Sequence, residues 1–482
     1  MTSPTTKDDA GQLCVPTLID GQPVWLPSSS ASFPVTSAAQ QKVIHHAQTA
    51  TAEMGVRAAD AAWTTFKSYR RSAAGDRRRM LLRAAELFEE RAAEGSARQM
   101  AETSCDEGWA AFNVHGSAGF CRSAAAAVDE ALRGSVLPTE SGNMHLALKE
   151  PIGPVLQIIP WNGAIVLCAR GIAAALAAGC TVVLKASELC PWTHAWVVDI
   201  FHSAGFPPGS INMVTSDRGG AAELTEALIA HRGIRKVEFI GSGAVGRVVG
   251  AVAARHCKPL VMELGDQSPQ IVLDDADLGL AAELAARSSV TLHGQVCFAT
   301  ERVIVLRSVY DEYSRLLAAA MAKVQSGTAV SEASAQRAKA AVDDAVKRGA
   351  KFLYGNAEML GPASLQASVL TDVHPDSILS KSEGFGPVMF VTVVDTEEEA
   401  VEEANSREGG LSAAVITRSY ERGLRLSRDL EFGEVIINNV TNFAETCGPM
   451  PGRKGSGWGS HAGKYGIEAF LVDKAVNFTP TA

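Results

Sequence analysis

Cys297 lies in His293-Gly294-Gln295-Val296-Cys297-Phe298, between a helix-like alanine-rich run, Leu278 to Arg287, and a β-branched run, Val303 to Leu306. A short glycine-containing loop between regular elements can expose a thiol and hold it, and the thiolate is a strong nucleophile. The plain alternative is a small buried hydrophobe, as most free cysteines are. Phe239-Ile240 leads into Gly241-Ser242-Gly243-Ala244-Val245-Gly246, which opens a helical pattern. This G-x-G-x-x-G order permits a tight turn and offers N–H groups to a pyrophosphate. By itself it describes an ordinary strand-to-helix turn equally well. The acid at the usual distance for a ribose contact is Glu263, but the motif follows the fourth strand of its unit, not the first. The ribose reading therefore falls on Glu188 in Lys185-Ala186-Ser187-Glu188, at the carboxyl end of a strand, where ligands of open α/β sheets bind. A carboxylate there accepts from ribose hydroxyls and repels a 2′-phosphate, which favours NAD over NADP. A solvated Lys–Glu pair is the alternative.

The elements that must position these groups alternate. Strands are expected at Val155 to Ile159, Thr181 to Leu184, Ile211 to Val214, Lys236 to Ile240 and Pro259 to Leu264, with helices between them. A second α/β run follows, with strands at Gln270 to Leu273, 303–306, 388–394, 413–417 and Glu434 to Asn438. The spacing predicts an α/β protein with two doubly wound, Rossmann-like domains. Residues 40 to 101 read as helices, Met1 to Ala10 as a disordered terminus. Extended runs flanking Pro138 to Gly142 form a hairpin signal over 134–148. The tail, Tyr465 to Thr479, ends in an extended run suited to another chain's sheet edge.

The 482 residues are about three times a typical domain length, so two or three domains are expected. Hydrophobic content of 46% and charged content of 20% suit a soluble globular chain. A net charge of -9 without a long basic run argues against nucleic acid and anionic membrane. No apolar stretch reaches the roughly 20 residues of a membrane span, and the first twenty residues lack a signal-peptide core. Nine cysteines without C-x-x-C read as thiols in a reducing compartment, by default the cytoplasm. No metal site is expected.

Four motifs stand in order: Pro160-Trp161-Asn162, Lys185-Ala-Ser-Glu188, Met262-Glu263-Leu264-Gly265 and Gly294-Gln295-Val296-Cys297. Glu383-Gly-Phe385-Gly-Pro387 and Lys454-Gly-Ser456-Gly457 follow. Jointly they resemble the NAD(P)-dependent aldehyde dehydrogenase superfamily, from about residue 17 to 478. The resemblance implies that Cys297 attacks an aldehyde, with the Asn162 amide and the Cys297 N–H as oxyanion donors. Hydride leaves to the nicotinamide, and Glu263 activates the water that hydrolyses the thioester. It implies cofactor contacts at Trp161, Lys185, Glu188, Ser242 and Glu383, with Phe385 nearby. The implied layout is an NAD-binding domain from 1–128 and 152–265 and a catalytic domain from 266–455. Small β oligomerisation elements at 129–151 and 466–482 would make a homodimer or homotetramer.

Pro160-Trp-Asn-Gly163 followed by Arg170, with Lys185-Ala-Ser-Glu-Leu-Cys190-Pro-Trp-Thr-His194, is similar to the salicylaldehyde and vanillin dehydrogenase branch. There a Trp, a Gly and an Arg shape an aromatic pocket, and Trp109, Gly163 and Arg170 match them. Trp109 would stack on a ring, Gly163 would widen the tunnel, and Arg170 would bond a phenolic oxygen. The alternatives are a core aromatic for Trp109 and an ion pair for Arg170. Asp266-Gln267 replaces the family's usual Gly-Lys, and a carboxylate there is expected to raise the pKa of Glu263 or disturb the nicotinamide site. The expected reaction is NAD-dependent oxidation of an aromatic aldehyde to its acid. Its rivals are an aliphatic or polyketide-derived aldehyde, a thiol esterase, and a catalytically silent scaffold.

Overall fold

The computed structural model describes residues 6–7, 13–26, 32–140 and 142–479. Apart from the strand Thr6–Lys7, the expectation for Met1 to Ala10 lies outside the described residues.

Five parallel strands form the centre of an eight-stranded sheet, in the order Leu260–Leu264, Lys236–Gly241, Val155–Ile158, Val182–Lys185 and Ile211–Val214. The chain reverses its direction of winding at Val155–Ile158, so a crevice opens beside the carboxyl end of that strand. Antiparallel strands extend both edges: Gly457–Trp458 on one side, Thr17–Ile19 and Gln22–Val24 on the other. Helix Ala164–Ala178 is buried along its whole length, as its sequence, apolar but for Arg170, requires. It stops at Gly179, whose φ of +91 suits a left-handed cap.

The second sheet has seven strands. Its five central members are Ser368–Thr371, Val388–Val394, Thr300–Leu306, Ser268–Val272 and Ser412–Ile416, with Glu434–Ile437 also parallel and Lys351–Tyr354 antiparallel. Thr300–Leu306 and Ser268–Val272 are buried at every position, which explains why they read as continuous runs without alternation.

One expectation fails here. Residues 40 to 101 are not all helical, because Lys42–Gln48 is a strand ahead of the helices Ala52–Tyr69, Ala74–Glu90 and Ala92–Thr103. It pairs with Ser32–Ser37 and Leu13–Val15 in a four-stranded sheet. The tail strand Leu471–Phe478 pairs on one side with Met144–Pro151 of its own chain and forms the outer strand of that three-stranded sheet. The expected hairpin forms, as Ser135–Leu137 against Met144–Pro151. Among the described residues, no helix is long and apolar enough to cross a membrane.

Candidate active site

Glu263 is on the last turn of its strand, Asn162 follows the strand Val155–Ile158, and Cys297 follows the short turn Thr291–Gly294. The fold brings all three to one cavity of about 710 Å³. Cys297 Sγ lies 3.3 Å from Glu263 Oε1, with the thiol donating to the carboxylate. Asn162 Nδ2 donates to Gln295 O at 3.2 Å, two residues before the nucleophile, and its second N–H remains available. Trp109 Nε1 donates to Asn162 O at 2.8 Å and so fixes the backbone of that residue.

The nucleophile loop is held against its own preference. Leu292 and His293 have φ of 51 and 58, followed by Gly294 at 71. Left-handed backbone costs a non-glycine residue on the order of 1–3 kcal/mol unless its surroundings impose it. Here His293 Nδ1 donates to Ser326 O at 2.8 Å, and Gln295 Oε1 accepts from Val330 N at 3.0 Å. Leu292 and Val296 are buried in a small apolar cluster with Cys105, Ala110 and Ala299. Gly294 is required twice over, since a Cβ there would lie 2.1 Å from Gly386 O.

Burial and the charges of Glu263 and Glu383 push the Cys297 thiol well above its usual pKa, so the resting sulfur carries its proton. Burial also works against ionisation of Glu263. Arg170, His461 and the Cys297 thiol together outweigh it and hold the carboxyl below the usual range. Arg170 Nη2 sits 2.6 Å from Glu263 Oε2, with both side chains buried.

The same cavity is lined by Trp161, Lys185, Glu188, Gly241, Ser242, Glu383 and Phe385. Ser242 precedes the helix Gly243–Arg255 and leaves its N–H groups facing the crevice mouth. Gly246 does not line the cavity; a Cβ there would meet Leu264 Cδ2 at 2.5 Å, so the glycine serves close helix-to-strand packing. Lys185 is buried, which lowers its pKa against the pull of Glu188. Glu188 Oε1 accepts from Arg218 Nε at 3.2 Å. Glu383 lies across Gly265, where a Cβ would fall 2.1 Å from its Oε2. Its Oε1 is buried without a hydrogen-bond partner, an acceptor suited to a ribose hydroxyl. That orphaned acceptor, with the glycine turn and Ser242, fits a dinucleotide.

The chain matches the model of the aldehyde dehydrogenase family over residues 25–476. It belongs to the aldehyde dehydrogenase family. A vanillin dehydrogenase of Pseudomonas sp. (strain HR199 / DSM 7063) is 37% identical over 467 residues, covering 95% of this chain and 96% of that one. A salicylaldehyde dehydrogenase of Pseudomonas sp. (strain C18) is 34% identical over 469 residues, with the same coverage. The crystal structure of a salicylaldehyde dehydrogenase from Pseudomonas putida G7 complexed with salicylaldehyde superposes with a TM-score of 0.93 at 33% identity. It covers 97% of this chain and 99% of that chain. The fold is that of aldehyde dehydrogenases, and the chain is an oxidoreductase with aldehyde dehydrogenase activity. Solved relatives include both NAD- and NADP-dependent enzymes, and the family uses one or the other.

Within this aldehyde dehydrogenase, three expectations about side chains change. Arg170 does not line the cavity; its Nη2 pairs with Glu263 while its Nε is buried without a hydrogen-bond partner among the described residues, so the ion-pair alternative to the phenolic contact is the one formed here. Gly163 does not open space, because Leu167 Cγ and Val166 Cγ1 already stand 2.8 and 3.2 Å from where its Cβ would be. Of the two effects expected of Asp266, the raised Glu263 pKa is not found, whereas its charge does act on Glu383 of the expected nicotinamide site. The Asp266 carboxylate accepts from the N–H groups of Gln267, Leu411 and Ser412 at 2.7, 2.9 and 3.3 Å, and its charge acts on Glu301 as well. Trp109 stacks on Phe112 with centroids 5.2 Å apart.

Sequence reasoning missed Glu301. Burial raises its pKa to about 7, against two backbone hydrogen bonds. It accepts from Gly384 N and Phe385 N, both at 2.9 Å, and so ties down the loop that carries Glu383. Phe385 holds a φ of 46 there and meets Trp161 edge-on at 6.0 Å. The available signal was the pair Glu301-Arg302, two charges inside an otherwise apolar strand.

Proposed function

We propose that this aldehyde dehydrogenase oxidises an aromatic, salicylaldehyde-like aldehyde to its carboxylic acid, with NAD as the preferred cofactor. The observation that carries the mechanism is the Cys297 thiol donating to Glu263 beside the Asn162 amide. Glu263 removes the thiol proton as sulfur bonds to the aldehyde carbon. The oxyanion is held by the free Asn162 N–H and the Cys297 backbone N–H. Bound NAD would supply the hydride acceptor; Glu188 and Glu383 would hold its ribose hydroxyls, with Lys185 and Ser242 along the crevice and Phe385, packed against Trp161, nearby. Once Glu263 has released the thiol proton, the resulting thioester is hydrolysed by a water whose proton goes to Glu263, and the departing sulfur regains its resting proton.

The aromatic substrate is supported by the names of the similar dehydrogenases and by the stacked Trp109 and Phe112 beside Asn162. NAD is supported by the Glu188 carboxylate at the cavity wall. A homodimer or homotetramer is supported by the apolar arm sheet, on which Val136, Met144 and Phe478 are exposed. The deciding experiment is kcat/KM for salicylaldehyde, vanillin and a linear aldehyde of similar size, each with NAD and with NADP. A clear linear preference removes the aromatic reading. Ester hydrolysis without NADH from any aldehyde replaces oxidation by esterase chemistry.

A further inference from the structure

On the side of Glu263 opposite its thiol partner lies a second set of buried ionisable groups. His461 Nε2 is 3.9 Å from Glu263 Oε2, and His461 Nδ1 is 3.1 Å from Glu238 Oε1. Glu238 Oε2 accepts from Gln157 Nε2 at 2.7 Å. All three side chains are buried; neither His461 Nε2 nor Glu238 Oε1 makes a hydrogen bond among the described residues, so Glu238 meets the imidazole as a charge contact and the free Nε2 lies toward the general base. Space for Glu238 is made by Gly171, where a Cβ would fall 2.6 Å from Glu238 Oε2. The groups acting on this cluster are Arg170 and Cys168 from Ala164–Ala178, Lys236 and Glu238 from Lys236–Gly241, Glu263 from Leu260–Leu264, Glu434 from Glu434–Ile437, and the Cys297 thiol.

We propose that His461, backed by Glu238, takes the proton that Glu263 collects and returns Glu263 to its ionised form within each turnover. This rests on Glu263 as the base of thioester hydrolysis. In that step one O–H bond of water breaks as its oxygen joins the acyl carbon. The C–S bond then breaks, and sulfur leaves with the electron pair. The proton passes from water to Glu263 Oε1 or Oε2, then to His461 Nε2. Glu238 steadies the imidazolium until the proton moves on to solvent. Acylation of Cys297 removes the S–H that ties Glu263 Oε1, which frees the carboxylate to turn about its contact with Arg170 and bring a protonated oxygen across the 3.9 Å to His461 Nε2. Arg170 keeps Glu263 from holding the proton.

The test uses the full-length enzyme as His461→Gln and Glu238→Gln, with His461→Ala for rescue. The expected result is an intact first-turnover burst of NADH, a steady-state kcat lower by about tenfold or more, and an acid limb of kcat displaced to higher pH. Added imidazole should restore turnover in His461→Ala. An unchanged kcat and pH profile in His461→Gln, alongside an impaired Glu263→Gln, overturns the relay alone. Loss of the burst together with kcat in a normally melting His461→Gln enzyme also overturns it. Normal steady-state turnover in Glu263→Gln overturns the base assignment and the relay with it.

Discussion

Arg170 closes a 2.6 Å ion pair on Glu263, and the two side chains are 3% and 4% exposed. An arginine whose one ion pair among the described residues is to Glu263 thus sets the charge of the general base from inside a wholly buried helix. Removing one member of a buried pair leaves the other charge uncompensated, at a cost of roughly 3–5 kcal/mol. Arg170→Met should lose about that much in denaturant unfolding. Glu263 should then titrate higher, so the acid limb of kcat moves to higher pH while KM for the aldehyde changes little. A selective rise in KM for ortho-hydroxylated aldehydes, with stability intact, would return Arg170 to the substrate pocket. The pair's own contribution to stability is complete above the ordinary glutamate pKa, because the folded carboxyl titrates below it. It is lost only as pH falls through that lower value.

The Cys297 thiol is raised by burial first and then by Glu263 and Glu383. In the absence of cofactor, its alkylation by iodoacetamide should keep rising with pH beyond the range of an ordinary cysteine, with no plateau near neutrality. Glu263→Gln removes one anion and should shift that profile to lower pH. A plateau near neutrality in the unmodified enzyme would contradict the resting thiol described here.

Glu301 anchors Gly384 and Phe385 through one carboxylate. Glu301→Gln keeps a single acceptor oxygen, so one of the two N–H groups is left without its bond, at about 1–3 kcal/mol. The loop bearing Glu383 should loosen, and NAD binding measured by fluorescence titration should weaken by about tenfold or more on that basis. Cys297 alkylation should change far less. Equal NAD affinity in the variant would show that the loop is held by other contacts.

Arg218 is largely exposed and pairs with Glu188 at 3.2 Å on the cavity wall. This cation offsets part of the repulsion that Glu188 offers a 2′-phosphate. Arg218→Ala should therefore weaken NADP binding several-fold, a change of about 1 kcal/mol for an exposed charge contact, while NAD binding stays within about twofold. The comparison is direct by titration calorimetry with both dinucleotides. Parallel losses for the two would mean that Arg218 touches neither ribose.

The doubly wound order was legible because buried parallel strands and their covering helices each leave a local period. Ala164 to Ala178 matches the helix residue for residue, as does Ile211 to Val214 for its strand. Lys42–Gln48 was not legible: its His45, His46 and Gln48 look polar, yet His45 is buried against Glu102, a partner 57 residues away. The strained Leu292 and His293 left no local mark either. Their left-handed backbone is imposed by Ser326 and Val330 from a later segment.

The amino-acid sequence alone determined which groups can react: a loop cysteine, a strand-end glutamate, an asparagine after Trp161, and a glycine turn that opens a helix. Those follow from residue type and short spacing, which local geometry preserves. Only the tertiary structure decided what each group faces. It turned Arg170 from substrate to base, filled the space beside Gly163 with Leu167, and gave Asp266 to the N–H groups of Leu411 and Ser412. It also set His461 and Glu238 behind Glu263. The physical reason is that a buried charge must find its partner wherever packing allows, and those partners lie 93 to 223 residues apart along this chain.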